Sequence, residues 1–271
     1  MVIKNLDEER EGDVCGGNQN KLSTAEHYRL LLQLAPKLLR GDLARTQSAY
    51  IQAQKHYAYV VNDEIREFMS LRNKKILDIG GGTGAFCRVF VEEFGAELAV
   101  NMEPGLFYNK ELHWSDRISG VGQALPFNDC TFDFVFCREA LEHVRPQQCL
   151  QRCVNEMYRV TKKGGLCYIS VPPWYNPFAG HACMPFHYLP FRIARRLAVL
   201  FYKTPHIPPE ARSYAEYGIF PVTYQKMRRL ISESGFRLLA TKDHHFRLHF
   251  LTKIPIVREV VVPVVVFILR K

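Results

Sequence analysis

The spacing of apolar residues changes period along the chain, and the changes mark its elements. Leu30, Leu31, Leu34 and Leu38 recur three and four residues apart, as do Tyr57, Val60, Val61, Ile65 and Phe68. That spacing predicts two or three helices across residues 23–71. At residue 75 the period shortens: residues 75–79 form a brief apolar run ending in glycines, the pattern of a buried parallel strand. Helical spacing returns over 85–94, followed by strands over 97–102, near 119–122 and over 132–137. A helix over 147–160, stopped by Lys162-Lys163-Gly164-Gly165, leads to a fifth strand over 166–171 that ends at Pro172 and Pro173. Further on, a helix over 223–234, a stop at Gly235 and strands over 236–244 and 264–269 complete the pattern. Strands alternating with helices predict an α/β chain with a doubly wound, mostly parallel sheet.

Two stretches do not fit that alternation. Residues 1–20 carry few apolar side chains and are expected to be disordered. Residues 172–221 hold nine of the 15 prolines and many aromatics. A connection of that length in a folded domain usually carries function.

Composition narrows the class. Hydrophobic residues make up 47% of the chain, yet no run reaches the roughly 18 apolar residues of a membrane span. The polar, mixed-charge N-terminus resembles neither a secretory signal nor a transit peptide, so cytoplasmic residence is the expectation. Of the eight cysteines, Cys87, Cys137, Cys153 and Cys167 fall within predicted elements, where a thiol fills space as a small apolar group. Cys149 and Cys153 are spaced as neither a zinc pair nor a redox pair, which leaves the reduced state as the reading. The net charge of +9 is uneven: residues 188–271 contain fifteen Lys and Arg against five Asp and Glu. A basic third of that kind attracts phosphates, nucleic acid or an anionic membrane surface, or is simply a solvated face.

The first predicted strand hands over to a helix through Asp78-x-Gly80-x-Gly82-x-Gly84. Glycines there let the backbone turn sharply and approach a ligand, and amides at the helix start favour an electronegative group. Glu103 closes the second strand, where a carboxylate can accept hydrogen bonds from ribose hydroxyls. These residues predict a nucleotide-type cofactor. They do not separate NAD from S-adenosyl-L-methionine, because Gly80, Gly82 and Ala85 also satisfy the dinucleotide fingerprint.

Two runs downstream separate the two. Residues 122–143 (GQALPFNDCTFDFVFCREALEH) and 156–172 (EMYRVTKKGGLCYISVP), taken in order with residues 76–84, resemble the motifs of class I methyltransferases. The likeness is to the small-molecule type found in ubiquinone and menaquinone biosynthesis. It covers about residues 55–172 and, more weakly, 222–271. The resemblance implies a Rossmann-like, seven-stranded, mostly parallel sheet with helices on both faces, spanning residues 21–271. Residues 21–72 would form a helical N-terminal cap, and residues 173–221 an insertion after strand 5 acting as a substrate lid. It also implies that Asp78, Gly80, Gly82 and Gly84 hold the methionine and sulfonium side of S-adenosyl-L-methionine. Glu103 would take the ribose, Gln123 and Ala124 would border the adenine, and Arg138 would lie beside the methionine portion. Val121 departs from the family, many members of which carry an Asp there toward the adenine amino group.

Methyl transfer from a sulfonium is a direct displacement, so alignment, acceptor deprotonation and exclusion of water are what the protein supplies. His143, just after the fourth strand, is a candidate base, or else a residue that structures its loop. The spacing Glu139-x-x-Glu142-His143 resembles that of metal-assisted ubiquinone and small-RNA O-methyltransferases. It implies these three as ligands of a divalent Mg, Mn or Zn ion. His181 and His187, in the aromatic insertion, are further candidates for base or metal ligand. Residues 191–203 read as a cap helix with a solvated face, the alternative being a helix lying in a membrane interface.

The expected acceptor is a small or lipid-like molecule methylated on oxygen by a monomer or weak dimer, with peripheral membrane contact as an option. Three rivals stand behind it: an RNA methyltransferase using the basic third, a non-catalytic cofactor-binding scaffold, and an NAD-dependent enzyme. Against RNA, no RNA-binding module is recognisable, and the aromatics gather in one loop instead of along a basic groove.

Overall fold

Apolar residues on the central strands alternate between two faces, and helices cover both. The computed structural model describes residues 43–105, 116–202, 207–243 and 249–271, with side chains from residue 51 onward. The leucine spacing at 30–38, the expectation of disorder over 1–20, and His244 and His245 lie outside the described residues.

In chain order the elements are α1 (Leu43–Ile65), β1 (Lys75–Ile79), α2 (Ala85–Glu92), β2 (Leu98–Glu103), β3 (Arg117–Ser119) and β4 (Phe132–Arg138). They continue with α3 (Leu150–Val160), β5 (Thr161–Val171), α4 (Phe191–Tyr202), α5 (Tyr214–Tyr217) and α6 (Tyr224–Ser234). The last are β6 (Arg237–Asp243), α7 (Pro255–Val260) and β7 (Val265–Arg270). The strands form one seven-stranded sheet in the order β3-β2-β1-β4-β5-β7-β6. All pairs are parallel except β5 with β7 and β6 with β7. This is the Rossmann-like α/β architecture, with an antiparallel final strand set inside the sheet.

On one face Ile76, Phe134, Phe136, Tyr168 and Ile268 pack under Tyr57, Val61 and Ile65 of α1 and Phe86, Val89 and Phe90 of α2. On the other, Leu77, Val135, Ile169 and Phe267 pack under Val154 and Met157 of α3 and Met227 and Ile231 of α6. Each strand therefore contributes neighbouring residues to opposite cores, as the two-residue side-chain period requires. Phe90 is fully buried and meets Phe134 and Phe136 edge-on. Truncating such a ring costs about 3–5 kcal/mol.

Several boundaries moved from those expected. β5 begins at Thr161, not after the Lys-Gly run. Thr161 pairs with Phe132 and the register shifts before Phe134, so residues 162–165 bulge within the strand instead of ending the helix. Gly164 takes a left-handed φ of 75° there. β3 is shorter and earlier than expected, at Arg117–Ser119. Residues 147–149 form a 3-10 turn ahead of α3. Within the insertion, the helix expected over 191–203 is present as α4.

Cap and sheet are tied by polar contacts as well as packing. The buried Tyr168 hydroxyl on β5 donates to Glu64 on α1 at 2.8 Å, and Lys242 on β6 donates to the Glu64 carbonyl at 2.7 Å. Every described cysteine is a free thiol, with Cys87, Cys137, Cys153 and Cys167 buried. Among the described residues no helix is long and apolar enough to cross a membrane.

Candidate active site

The chain leaves β1 through three left-handed glycines, Gly80, Gly82 and Gly84, with φ of 76°, 57° and 74°. A side chain is excluded at Gly80 twice over. Its φ penalises any Cβ, and a Cβ there would lie 2.5 Å from that of Ala140. Gly80 N–H donates to the Met102 carbonyl at 2.8 Å, which clips the elbow to β2. Gly82 behaves differently, because a Cβ on it would meet nothing within 4 Å. The backbone at Gly82 thus faces open space beyond the strand ends, where open α/β sheets bind ligands. Asn101, fully buried on β2, donates to the Gly82 carbonyl at 3.0 Å. The Gly82 amide in turn donates to the Glu103 carboxylate at the end of β2.

Two acids flank this opening. Asp78 is buried on β1, and the Cys87 thiol approaches its Oδ2 at 3.8 Å. Burial, then the neighbouring Glu103, pushes the Asp78 carboxyl up to about 8. Two carboxyl groups beside open glycine backbone suit a cationic ligand carrying ribose hydroxyls. These residues therefore fit an adenosyl sulfonium.

Gln123 and Ala124 follow β3 in a tight loop. Ala124 N–H donates to the Val121 carbonyl at 3.1 Å, and the Gln123 amide reaches the Arg145 carbonyl at 3.5 Å. The loop is pinned from below: Leu125 N–H donates to Glu156 at 2.8 Å, and Arg159 donates to Glu156, Asp129 and the carbonyls of Leu125 and Phe127. Val121, the departure noted in the sequence, stays exposed.

Arg138, the last residue of β4, turns toward the cap. Its guanidinium sits 4.3 Å from the Tyr57 ring centroid and pairs with Glu139 at 2.6 Å. It also reaches Gln54 at 3.5 Å. The sequence reading missed Tyr57 and Gln54 as neighbours of this site, since helical spacing gives no sign of which residues meet a distant strand end.

Beside Gly80, the turn after β4 gathers three ionisable groups. Glu142, His143 and His181 bring ligand-type atoms within 4.8 Å of one another. Glu142 is buried with both oxygens lacking a hydrogen-bond partner, and His181 Nε2 likewise has none. His143 Nδ1 lies 2.8 Å from the Gly218 carbonyl. A carbonyl only accepts, so Nδ1 carries the proton and Nε2 presents its lone pair. Burial, with Glu139 nearby, raises Glu142 to about 8, while enclosure and the adjacent His143 lower His181 to about 4.

The expected trio of Glu139, Glu142 and His143 is thus regrouped. Leu141–His143 is a single 3-10 turn, and Glu139 precedes it in left-handed backbone with φ 48°. That conformation turns its carboxylate to Arg138, and His181 from the insertion takes the vacated position. His187 stands outside the group. It is buried, with Nε2 against the Trp174 carbonyl at 2.9 Å, and a Cβ on Gly180 would meet its ring at 2.5 Å. Its imidazole braces the insertion.

A family model described as a methyltransferase domain matches residues 77–169. An uncharacterized methyltransferase of Mycobacteroides abscessus is 32% identical over 253 residues, 88% of this chain and 89% of that one. A second, of Mycobacterium tuberculosis H37Rv, is 32% identical over 202 residues, 72% of this chain and 76% of its own. The solved S-adenosylmethionine dependent methyltransferase from Mesorhizobium loti superposes with a TM-score of 0.51 at 14% identity, covering 78% of this chain and 98% of that one. The [4+2]-cyclase SpnF superposes with a TM-score of 0.50 at 13% identity, covering 78% and 80%. Such distant likenesses speak to the fold alone, and the cyclase illustrates that one fold hosts several chemistries. The sequence relatives, joined to the glycine elbow and the paired acids, establish that this chain belongs to the class I S-adenosylmethionine-dependent methyltransferases.

Proposed function

We propose that the chain methylates an oxygen of a small or lipid-like acceptor seated between the cofactor crevice and the insertion. The observation that carries this reading is the His143 imidazole, held by the Gly218 carbonyl with Nε2 left as a proton acceptor. Gly80 touches Ala140 in the same turn, so the base stands next to the elbow that would hold the sulfonium. Asp78 and Gly80, Gly82 and Gly84 would cradle the methionine side, Glu103 the ribose, and Gln123 and Ala124 the adenine, with Arg138 bordering the methionine portion. His181 would assist His143, and His187 would keep the insertion in shape. The enzyme would work in the cytoplasm as a monomer or weak dimer.

A second reading is favoured by the unpartnered oxygens of Glu142 and the unpartnered Nε2 of His181. Buried polar atoms without partners are costly, and a carboxylate with two imidazoles is a donor set suited to a divalent Zn, Mn or Mg ion. Glu142, His143 and His181 would hold it, and a bound ion would supply charge to stabilise an acceptor oxyanion.

The test is transfer of labelled methyl from the cofactor into a cell extract separated into polar small molecules, lipids and RNA. Label in the small-molecule or lipid fraction, lost with His143→Ala, supports the proposal. Label confined to RNA would make the chain an RNA methyltransferase, and tight cofactor binding with no transfer anywhere would make it a scaffold. Metal content of the purified protein, compared with Glu142→Gln, decides the second reading separately.

A further inference from the structure

The large apolar side chains left on the surface are not scattered. Apart from Ile118 and Val121, every exposed one among the described residues falls between Tyr175 and Val261. They belong to two stretches, residues 175–201 and 250–261, which the fold joins. Val171 at the end of β5 pairs with Val265 at the start of β7, so both stretches lie at the same end of the strands. The Asn176 side chain donates to the Val260 carbonyl at 3.0 Å, and the Tyr188 hydroxyl to the Tyr175 carbonyl at 2.6 Å. Phe186 then meets Phe201 of α4, their rings 5.3 Å apart. Because β1 and β4 run parallel to β5, the glycine elbow and the turn after β4 lie at this end too.

Within this rim α4 is packed in an unusual sense. Its inward face is Phe191, Ala194 and Ala198, all buried. Its outward face carries Ile193 and, 73% exposed, Leu200, with Phe201 also exposed. A helix of a water-facing protein is expected to bury such residues and expose polar ones. Arg192 and Arg196 are exposed one turn apart on the same helix, while Arg195 turns inward to the carbonyls of Ala211 and Pro209. The expected solvated face is therefore an apolar surface edged by arginines.

Charge distribution indicates what covers it. The sequence has no Asp or Glu between residues 157 and 209, and none between 244 and 258. Both stretches that carry the exposed apolar residues are thus free of acids apart from Glu259, which is occupied in capping α6 through the amides of Tyr224 and Gln225. A second copy of this chain would bring like charge against like. An anionic lipid surface complements both features at once, its phosphates meeting arginines and its acyl boundary receiving leucine, isoleucine and phenylalanine.

We propose that this rim docks onto an anionic bilayer, with α4 and the segment 254–261 dipping apolar side chains below the headgroups. The docking extends the lipid-like acceptor reading, because it sets the mouth of the site against the membrane. It is measured without any acceptor, so either idea can fail alone.

The full-length protein is floated with phosphatidylcholine vesicles, with and without phosphatidylglycerol. Binding is expected to the mixed vesicles, to weaken with added salt, and to fall about tenfold or more with Leu200→Glu or Ile193→Glu. Arg192→Glu with Arg196→Glu is expected to erase the preference for the anionic lipid. Unchanged S-adenosylmethionine affinity in each variant shows that the fold is intact. The proposal is overturned if the wild type ignores both vesicles, or if Leu200→Glu binds as well as the wild type. It is equally overturned if the wild type is a dimer that Leu200→Glu splits, since a second copy would then cover the face.

Discussion

His181 Nε2 stands 3.9 Å from Glu142 Oε1, the imidazole supplied by the insertion and the carboxylate by the turn after β4. The approach couples the insertion to the C-terminal end of β4. It is reinforced by the amide of Phe220, which donates to the Glu142 carbonyl at 2.9 Å, and by Gln147, which donates to the Pro221 carbonyl at 2.7 Å. Both ends of the insertion thus close on the turn that follows β4, so the insertion and that turn are mechanically one unit.

If His143 accepts the acceptor's proton, His143→Ala is expected to lower kcat by about 10²–10⁴-fold. Cofactor affinity, read by calorimetry, should stay at the wild-type value. A parallel loss of affinity would mean that the imidazole merely holds the loop.

The Glu103 carboxylate is the group expected to grip the ribose. Glu103→Ala should weaken S-adenosylmethionine binding by about 10–100-fold, the worth of hydrogen bonds to a charged group. Binding of NADH in preference to S-adenosylhomocysteine by the wild type would contradict the assignment of the crevice.

Cofactor binding should depend on pH through Asp78. With its carboxyl raised to about 8 by burial and Glu103, the group is mostly protonated at neutral pH. A cationic sulfonium favours the ionised form, so binding releases a proton. Affinity should accordingly rise with pH and level off above about 8, and Asp78→Asn should flatten the profile. Titration calorimetry in buffers of different ionisation enthalpy measures the proton directly.

The bond from Tyr168 to Glu64 ties the cap to the sheet. Tyr168→Phe keeps the ring packing and removes the donor to a buried carboxylate, at a cost of about 1–3 kcal/mol. Denaturant unfolding at fixed m-value tests this; an unchanged midpoint would show that the cap gains nothing from the bond.

Acid should loosen the loop that carries Gln123 and Ala124. The hydrogen bond from Arg159 lowers the Glu156 carboxyl below its ordinary value, with the Leu125 amide adding to it. A depressed carboxylate stabilises the fold above its unfolded value, 4.5 for a free Glu. It loses that contribution as pH drops through the lower, folded value. Wild-type Tm should therefore fall more steeply below about pH 4.5 than that of Glu156→Gln; parallel curves would rule the linkage out.

The sequence alone determined the sheet, because each strand buried on both faces had to be written as a short apolar run and each helix as a three-to-four repeat. It likewise determined the elbow, since left-handed backbone at Gly80, Gly82 and Gly84 requires glycine and so leaves its mark in the residue types. His181 was a candidate ligand from the sequence, but that it would join Glu142 and His143 while Glu139 turned away was not legible, because a left-handed Glu139 and an insertion folding back onto β4 are products of packing, not of spacing. Nor was the orientation of α4: its apolar residues surround the helix axis, and only contact with the rest of the insertion selected the alanines for the inside. Local periodicity specifies which elements form, whereas which side of an element meets its neighbours is decided where distant segments come together.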